Sequence, residues 1–355
     1  MLVSPTSLFI FFMQLETILS QSMFSTMTGY KYFSVVTYVL SIICILIKIF
    51  SSKIKMSLLK LVLIVVTCLF ILIGFLNAGG MLIVKTVLFA IAVYKTSGEK
   101  VLKSYYDSTR TGVLFVVVCS LFYDGSHISK YLLGFLNQNA LGMNVFNIAM
   151  LYIVINYNSK IKKCVIYSII ACVLCFMVES YSSAVCMIIA IGLIVTIRFW
   201  KEIKIFCLAI ENSFAIITLL SIALGISYTA DNVVLNMLNA FLSTRLYCWN
   251  RYFMEKPIAL FGVDFELSQF LALDNGALYL LFRHGIILLV IYVFMFKKIA
   301  GNVIKDDRWG LVIAYISYVV YSFMEYGAID INNNFVLAVF FADYFGETLS
   351  NKKQG

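Results

Sequence analysis

The sequence predicts an all-α polytopic bundle of transmembrane helices, and three observations carry that expectation. Hydrophobic residues fill 62% of the 355 positions against roughly 45 to 50% in soluble domains, and charged residues 13% against roughly 25%. That composition excludes a soluble globule. With 2 Pro, 19 Gly and no alternation of polar and apolar residues, neither an outer-membrane barrel nor a chain of linker-joined domains fits. Apolar stretches bounded by charge recur along the whole chain, each about as long as the roughly 20 residues that cross a bilayer. A single integral-membrane domain over residues 1–355, with about 12 spans, is the expected architecture.

The first span is expected near residues 5 to 22. It lacks the basic n-region and small-residue cleavage site of a secretory signal. Gln14 and Glu16 make it the least apolar of the set, with an interfacial helix as the alternative. Further spans are expected near 33 to 50, 58 to 76, 79 to 97, 109 to 124, 137 to 157, 163 to 179 and 181 to 199. The remainder are placed near 211 to 230, 275 to 296, 310 to 326 and 332 to 349.

Charge orients these spans. The formal net charge is +9, which in a soluble protein would point to nucleic acid, but here the distribution matters more than the sum. Alternate connections carry Lys48, Lys53, Lys55 and Lys60; Lys95, Lys100, Lys103 and Arg110; Lys160, Lys162 and Lys163; Arg198, Lys201 and Lys204; Lys297, Lys298, Lys305 and Arg308; and Lys352 and Lys353. These are 20 of the 27 cations, so by the positive-inside rule these connections and both termini are expected in the cytoplasm. No nucleic-acid partner is expected. Eight of the 9 Cys fall in or beside spans, where they behave as small hydrophobes, and only Cys248 falls in an exterior loop. With 2 His in the chain, no His-based metal site is expected.

The one long exterior connection, residues 231–274, is longer than a bundle needs for a turn. Within it Leu235, Leu238, Leu242, Leu246, Trp249 and Phe253 recur at steps of three or four, which predicts an amphipathic helix. Thr244, Arg251 and Glu255 mark its polar face, Arg245 its border, and Pro257 its end.

Three of the 6 Arg, Arg245, Arg251 and Arg283, fall on the exterior side that the charge bias should deplete. A guanidinium fork suits phosphate oxygens, so these residues point to a lipid-linked phosphate or diphosphate. The plainer reading pairs Arg251 with Glu255 at i, i+4 and lets Arg245 and Arg283 reach the head groups. If the span begins at Asn275, Arg283 and His284 lie roughly 13 Å into it, a depth that suits a wet outward-facing cavity, the alternative being a helix that starts later. Asp264, Glu266 and Asp274 are the nearby carboxylates that could serve as a base.

Several segments together resemble a known family. Gly-Phe-Leu-Asn-Gln-Asn-Ala-Leu-Gly at 134–142 resembles the Gly-Phe-x-His-Pro-Asn-x-x-Gly segment that opens a span in Wzy-type O-antigen and capsular polysaccharide polymerases. Arg251 to Gly262 fits the Arg-x10-Gly pattern of their exterior loops, and Leu273 to Gly285 is similar to their Asp-Asn-containing return helix. These segments occur in family order. Asn137 and Gln138 replace the usual His-Pro, leaving a hydrogen-bonding role for Asn137 and Asn139. Ser182-Ser183-Ala184 stands where the family often has Ser-Arg-Thr, so Lys130, Arg245 or Arg283 would have to supply the missing charge.

The resemblance implies a membrane glycosyltransferase that joins undecaprenyl-diphosphate-linked oligosaccharide repeat units on the outer face of a bacterial plasma membrane. It implies no cofactor and no metal, since a diphosphate leaving group can be neutralised by Arg. Arg251 and Arg245 are expected to hold the donor diphosphate, with Arg283 in support. Gly262 and Asn275 belong to the matched motifs. Asp274 is the first choice of base, although a helix N-terminus should lower its pKa, and His284 competes because an ordinary imidazole titrates near neutrality. Expected partners are the lipid-linked substrate, the bilayer, and a flippase and chain-length regulator of the same pathway. A ligase would share this site. The reading from another class is a lipid-linked sugar flippase, kept open by the charges Lys85, Glu211 and Asp343 inside or beside spans.

Overall fold

The computed structural model describes residues 4–51, 81–122, 132–263 and 273–350, and every regular element among them is helical. The expected span at 58–76 lies outside the described residues. Helix α1 (Pro5–Ser20) starts where the Ser4 hydroxyl accepts the Ser7 amide at 3.2 Å and Pro5 takes the first turn, where its missing N–H costs nothing. Helices α2 (Tyr30–Ser51), α3 (Leu82–Val93) and α4 (Gly98–Ser120) follow. Then come α5 (Gln138–Asn156), α6 (Ile161–Met177) and α7 (Tyr181–Trp200).

Helices α8 (Lys204–Glu211) and α9 (Ser213–Ser227) form one bent pair with a 59° break at Asn212. The exterior connection holds α10 (Val233–Phe241) and α11 (Arg245–Glu255). A single turn, α12 (Gly276–Tyr279), runs into a π-helical turn at Leu280–His284 and then α13 (Ile286–Lys305). Helices α14 (Trp309–Met324) and α15 (Phe335–Ser350) close the order, with a 3-10 turn at Tyr326–Ile329 between them.

Helix α14 is the centre of the bundle, because almost every side chain from Trp309 to Tyr321 is buried. It packs against α5, α7 and α9. The outer helices reverse the soluble rule: α2 exposes Val35, Val39, Ile43 and Ile47, and α6 exposes Ile166, Ile170 and Val173. Such surfaces are stable against lipid and not against water. Among the described residues, four helices are long and apolar enough to cross a membrane, and the bent pair makes a fifth candidate. The molecule is thus an all-helical protein with membrane-spanning character.

Helix α1 is not a surface helix: Phe9, Ile10 and Met13 are buried, and its polar residues have partners. Gln14 Nε2 donates to the Asn332 carbonyl at 2.6 Å, while the Tyr30 hydroxyl and Ser34 Oγ both donate to Glu16 Oε1 at 3.2 Å.

Two helices expected to be continuous are broken. The amphipathic stretch 235–253 divides at Ser243 and Thr244, both in the left-handed region at φ 54° and 67°. Its inner face still holds Leu242, Leu246 and Trp249 as expected. The return helix is interrupted at Gly285, whose φ of 91° no α-helix accepts. Arg283 and His284 therefore lie at a helix break and not in mid-helix. The break is filled by the end of the long connection: the Ile286 amide donates to the Ala259 carbonyl at 3.1 Å and the Ile287 amide to the Leu260 carbonyl at 3.2 Å.

Candidate functional site

One end of α5, α7 and α14 gathers polar side chains from five segments. Arg245, the first residue of α11, lies between two carboxylates. Its Nη2 donates to Glu325 Oε1 at 3.1 Å and lies 3.9 Å from Asp274 Oδ2, and its Nη1 donates to the Leu242 carbonyl at 3.3 Å. Glu325 Oε1 also accepts from Asn139 Nδ2 at 3.1 Å and Ser182 Oγ at 3.2 Å. The Arg245 and Glu325 side chains are only 16% and 13% exposed, so this is a sheltered ion pair and not a surface one.

Each member is held by local chemistry. Gly134 adopts φ 87°, and its carbonyl accepts the Met23 amide at 2.8 Å, which fixes the approach to α5. Asn137 caps α5, its Oδ1 accepting the Ala140 amide at 2.8 Å, so that Asn139 enters in the first turn. Gly142 lets α5 approach the start of α7, since an added Cβ would overlap Ser180 Oγ. Behind Ser182, Ser183 Oγ and the Tyr321 hydroxyl share a hydrogen bond at 3.0 Å. The Asn137, Asn139, Gly134 and Gly142 of the 134–142 segment thus all have a structural duty around this site.

Asn275 is the N-cap of the return helix and not a ligand in waiting. It is fully buried; its Oδ1 accepts the Leu278 amide at 2.9 Å, and its Nδ2 donates to Ser221 Oγ at 2.9 Å and the Phe323 carbonyl at 3.0 Å. That places Asp274 one residue outside the helix, facing Arg245.

Glu325 lies one residue past the end of α14, in extended backbone at φ −145° and ψ 125°. Burial pushes its carboxyl up to about 7; the Asp274 charge adds to this, and Arg245 with its hydrogen bonds opposes it. Burial also raises Asp274 from its ordinary value, against the pull of Arg245. The lowering expected for Asp274 from a helix N-terminus is outweighed, because the cap is Asn275 and Asp274 is partly withdrawn from water.

The other expected residues fall elsewhere. Arg251 is half-exposed and ion-paired with Glu255 at i, i+4. Six residues after Arg245, it points about 120° away around the helix. Gly262, at φ 79°, packs on the break of the return helix, where an added Cβ would overlap the Arg283 carbonyl. Arg283 is partly exposed beside it. His284 is buried, with both ring nitrogens lacking a partner and its ring edge-on to Tyr279 at 5.5 Å. Lys130, Asp264 and Glu266 lie outside the described residues. Two of the three charges that favoured a carrier have counter-ions: Lys85 pairs with Asp330 at 3.5 Å, and Asp343 pairs with Arg308.

Sequence reasoning missed Glu325, the hub of the cluster. The available signal was a carboxylate inside the span expected near 310 to 326, at the end where cations are scarce. Comparison with family models, with curated proteins and with solved structures finds no match to this chain.

Proposed function

We propose that the protein is an integral-membrane glycosyltransferase that polymerises undecaprenyl-diphosphate-linked oligosaccharide repeat units, with its site at the outer face of a bacterial plasma membrane, 12 spans and both termini cytoplasmic. The observation that carries this reading is the sheltered Arg245–Glu325–Asp274 cluster, ringed by Asn139 and Ser182. It lies at the end of the bundle opposite the one where Lys103 and Arg308 border a cavity of about 600 Å³.

In the proposed step, the acceptor sugar hydroxyl attacks the anomeric carbon of the donor. The bond from that carbon to the diphosphate oxygen breaks, and its electron pair leaves with the diphosphate. Arg245 stabilises the charge that develops there; its Nε is a buried donor with no protein partner. The acceptor proton passes to the Glu325 carboxylate, whose pKa of about 7 suits a general base near neutrality. Asp274 holds Arg245 from the other side and keeps that pKa high. This moves the base from Asp274, the first choice on sequence, to Glu325.

Purified protein reconstituted with lipid-linked repeat units tests the reading: wild type forms polymer, and Glu325→Gln and Arg245→Ala leave single units. The flippase alternative draws on the broken return helix and the bent 204–227 pair, since carriers use interrupted helices. Translocation of the lipid-linked unit across vesicles without any new glycosidic bond would support it and sink the polymerase reading. Transfer of finished glycan to another acceptor, with no polymer, would favour the ligase.

A further inference from the structure

We propose that the Lys85–Asp330 ion pair, with Gln14 and Tyr105, is a positioning device that fixes the Glu325–Asn334 connection inside the bundle and so aims the Glu325 carboxyl at Arg245. The proposal rests on the reading of Glu325 as the base. The connection joins α14 to α15 without an α-helix, yet Ala328, Ile329 and Ile331 are fully buried and Asn332 and Asn334 are only 2% and 1% exposed. Non-helical backbone in such a place persists only if its polar groups find protein partners.

The Ile331 and Asn332 carbonyls and the Asp330 carboxylate do, with partners from three helices, while the buried side-chain amide of Asn332 has none. Gln14 of α1 donates to the Asn332 carbonyl at 2.6 Å and is itself held by Thr109 Oγ1 at 3.1 Å. The Tyr105 hydroxyl of α4 donates to the Ile331 carbonyl at 3.0 Å. Within the segment, Asn334 Nδ2 donates to the Ala328 carbonyl at 2.8 Å and the Asn332 amide to Asp330 Oδ1 at 3.0 Å. The charged anchor is Lys85 of α3, whose Nζ donates to Asp330 Oδ2 at 3.5 Å.

Glu16 and Tyr38 face Lys85, while Tyr105, Tyr279, Tyr292 and Tyr326 surround Asp330. Among these groups Lys85 is the cation, so removing it leaves a partly buried carboxylate without a counter-charge, a cost that is relieved by protonation of Asp330 or by movement of the segment toward water. Glu325 opens that segment and would move with it. Among the described residues, the charged groups around Glu325 itself are Arg245 and Asp274, with Tyr321, Tyr326 and Cys186 also facing it.

The test compares Lys85→Met, Asp330→Asn and the swapped double variant Lys85→Asp with Asp330→Lys in full-length reconstituted protein. Turnover is read alongside an infrared titration of the Glu325 carboxyl, assigned by its loss in Glu325→Gln. Each single variant is expected to lower kcat by roughly 10- to 100-fold with KM little changed. The Glu325 titration should fall from about 7 toward the ordinary carboxylate range as the carboxyl meets water. The swap should restore both. Tyr105→Phe, which deletes one hydrogen bond and no charge, should show the same changes in smaller degree and serves if the single charge variants do not fold. Folded variants with wild-type kcat and titration overturn the proposal, as does a folded swap variant no better than the singles. If wild type forms no polymer, the functional reading fails, while the infrared titration still decides whether Lys85 and Asp330 position Glu325.

Discussion

Arg245 and Glu325, 80 positions apart in the chain, meet through a hydrogen-bonded ion pair of 3.1 Å in which Glu325 Oε1 takes two further donors. A guanidinium so placed is fixed before any substrate arrives, which is the condition for stabilising charge that appears only in the transition state. Arg245→Ala is expected to cut polymer formation by roughly 10² to 10³, and Arg245→Lys to recover only part, because Lys lacks the planar fork. Arg251, half-exposed beside Glu255, should matter less. Turnover of the purified variants checks this. Equal losses for Arg251→Ala and Arg245→Ala would mean that Arg251 leaves its surface pair to join the site.

The pH profile carries a signed expectation. A base must be deprotonated, so turnover should fall as pH drops through about 7, the raised value of the Glu325 carboxyl. The neighbouring Asp274 charge helps to raise it, so Asp274→Asn should move this limb to lower pH while turnover persists at neutral pH. Loss of turnover in Asp274→Asn at every pH would return the role of base to Asp274.

Gly262 and Gly285 face each other across the break in the return helix, both at positive φ. An Ala Cβ at Gly262 would overlap the Arg283 carbonyl, and one at Gly285 would overlap the Leu260 carbonyl. Gly262→Ala and Gly285→Ala should each cost about 1 to 3 kcal/mol from backbone strain alone. Thermal unfolding of detergent-purified protein measures it. Unchanged stability in both would mean that the connection docks on the break in some other way.

Orientation is checked with reporter fusions. Those after Lys103, Lys163 and Lys305 should report cytoplasm, and those near Asn232 and Asp264 exterior. A cytoplasmic result at Asn232 would put Arg245 on the wrong side for the proposed donor.

Much of the helical framework was legible because lipid-facing and core-facing periodicity is written locally. Asn137 and Asn275 were singled out by the resemblance of their segments and not as helix caps, the role in which the structure shows them. The site was legible only in part. Arg245 drew notice as a cation on a cation-poor side, yet its partner Glu325 did not, since a contact across 80 residues leaves no trace in local spacing. Nor did the break at Gly285 show itself, because Leu278, Leu280, Leu281 and Phe282 before it and Ile286 onward after it read as one apolar run. Ser243 and Thr244, weak helix formers in succession, were the available warning that the amphipathic helix would divide.

The dispersal of the cluster over five segments also sets an order of events. A chain is made from its N-terminal end, and domains assemble as their parts emerge. Asn139, Ser182, Arg245 and Asp274 are all synthesised before Glu325, so a nascent chain halted within α14 holds the arginine with Asp274 as its only described site carboxylate. On the proposed reading the base thus arrives with the final hairpin, and a half-inserted molecule would be inert toward the lipid-linked substrate.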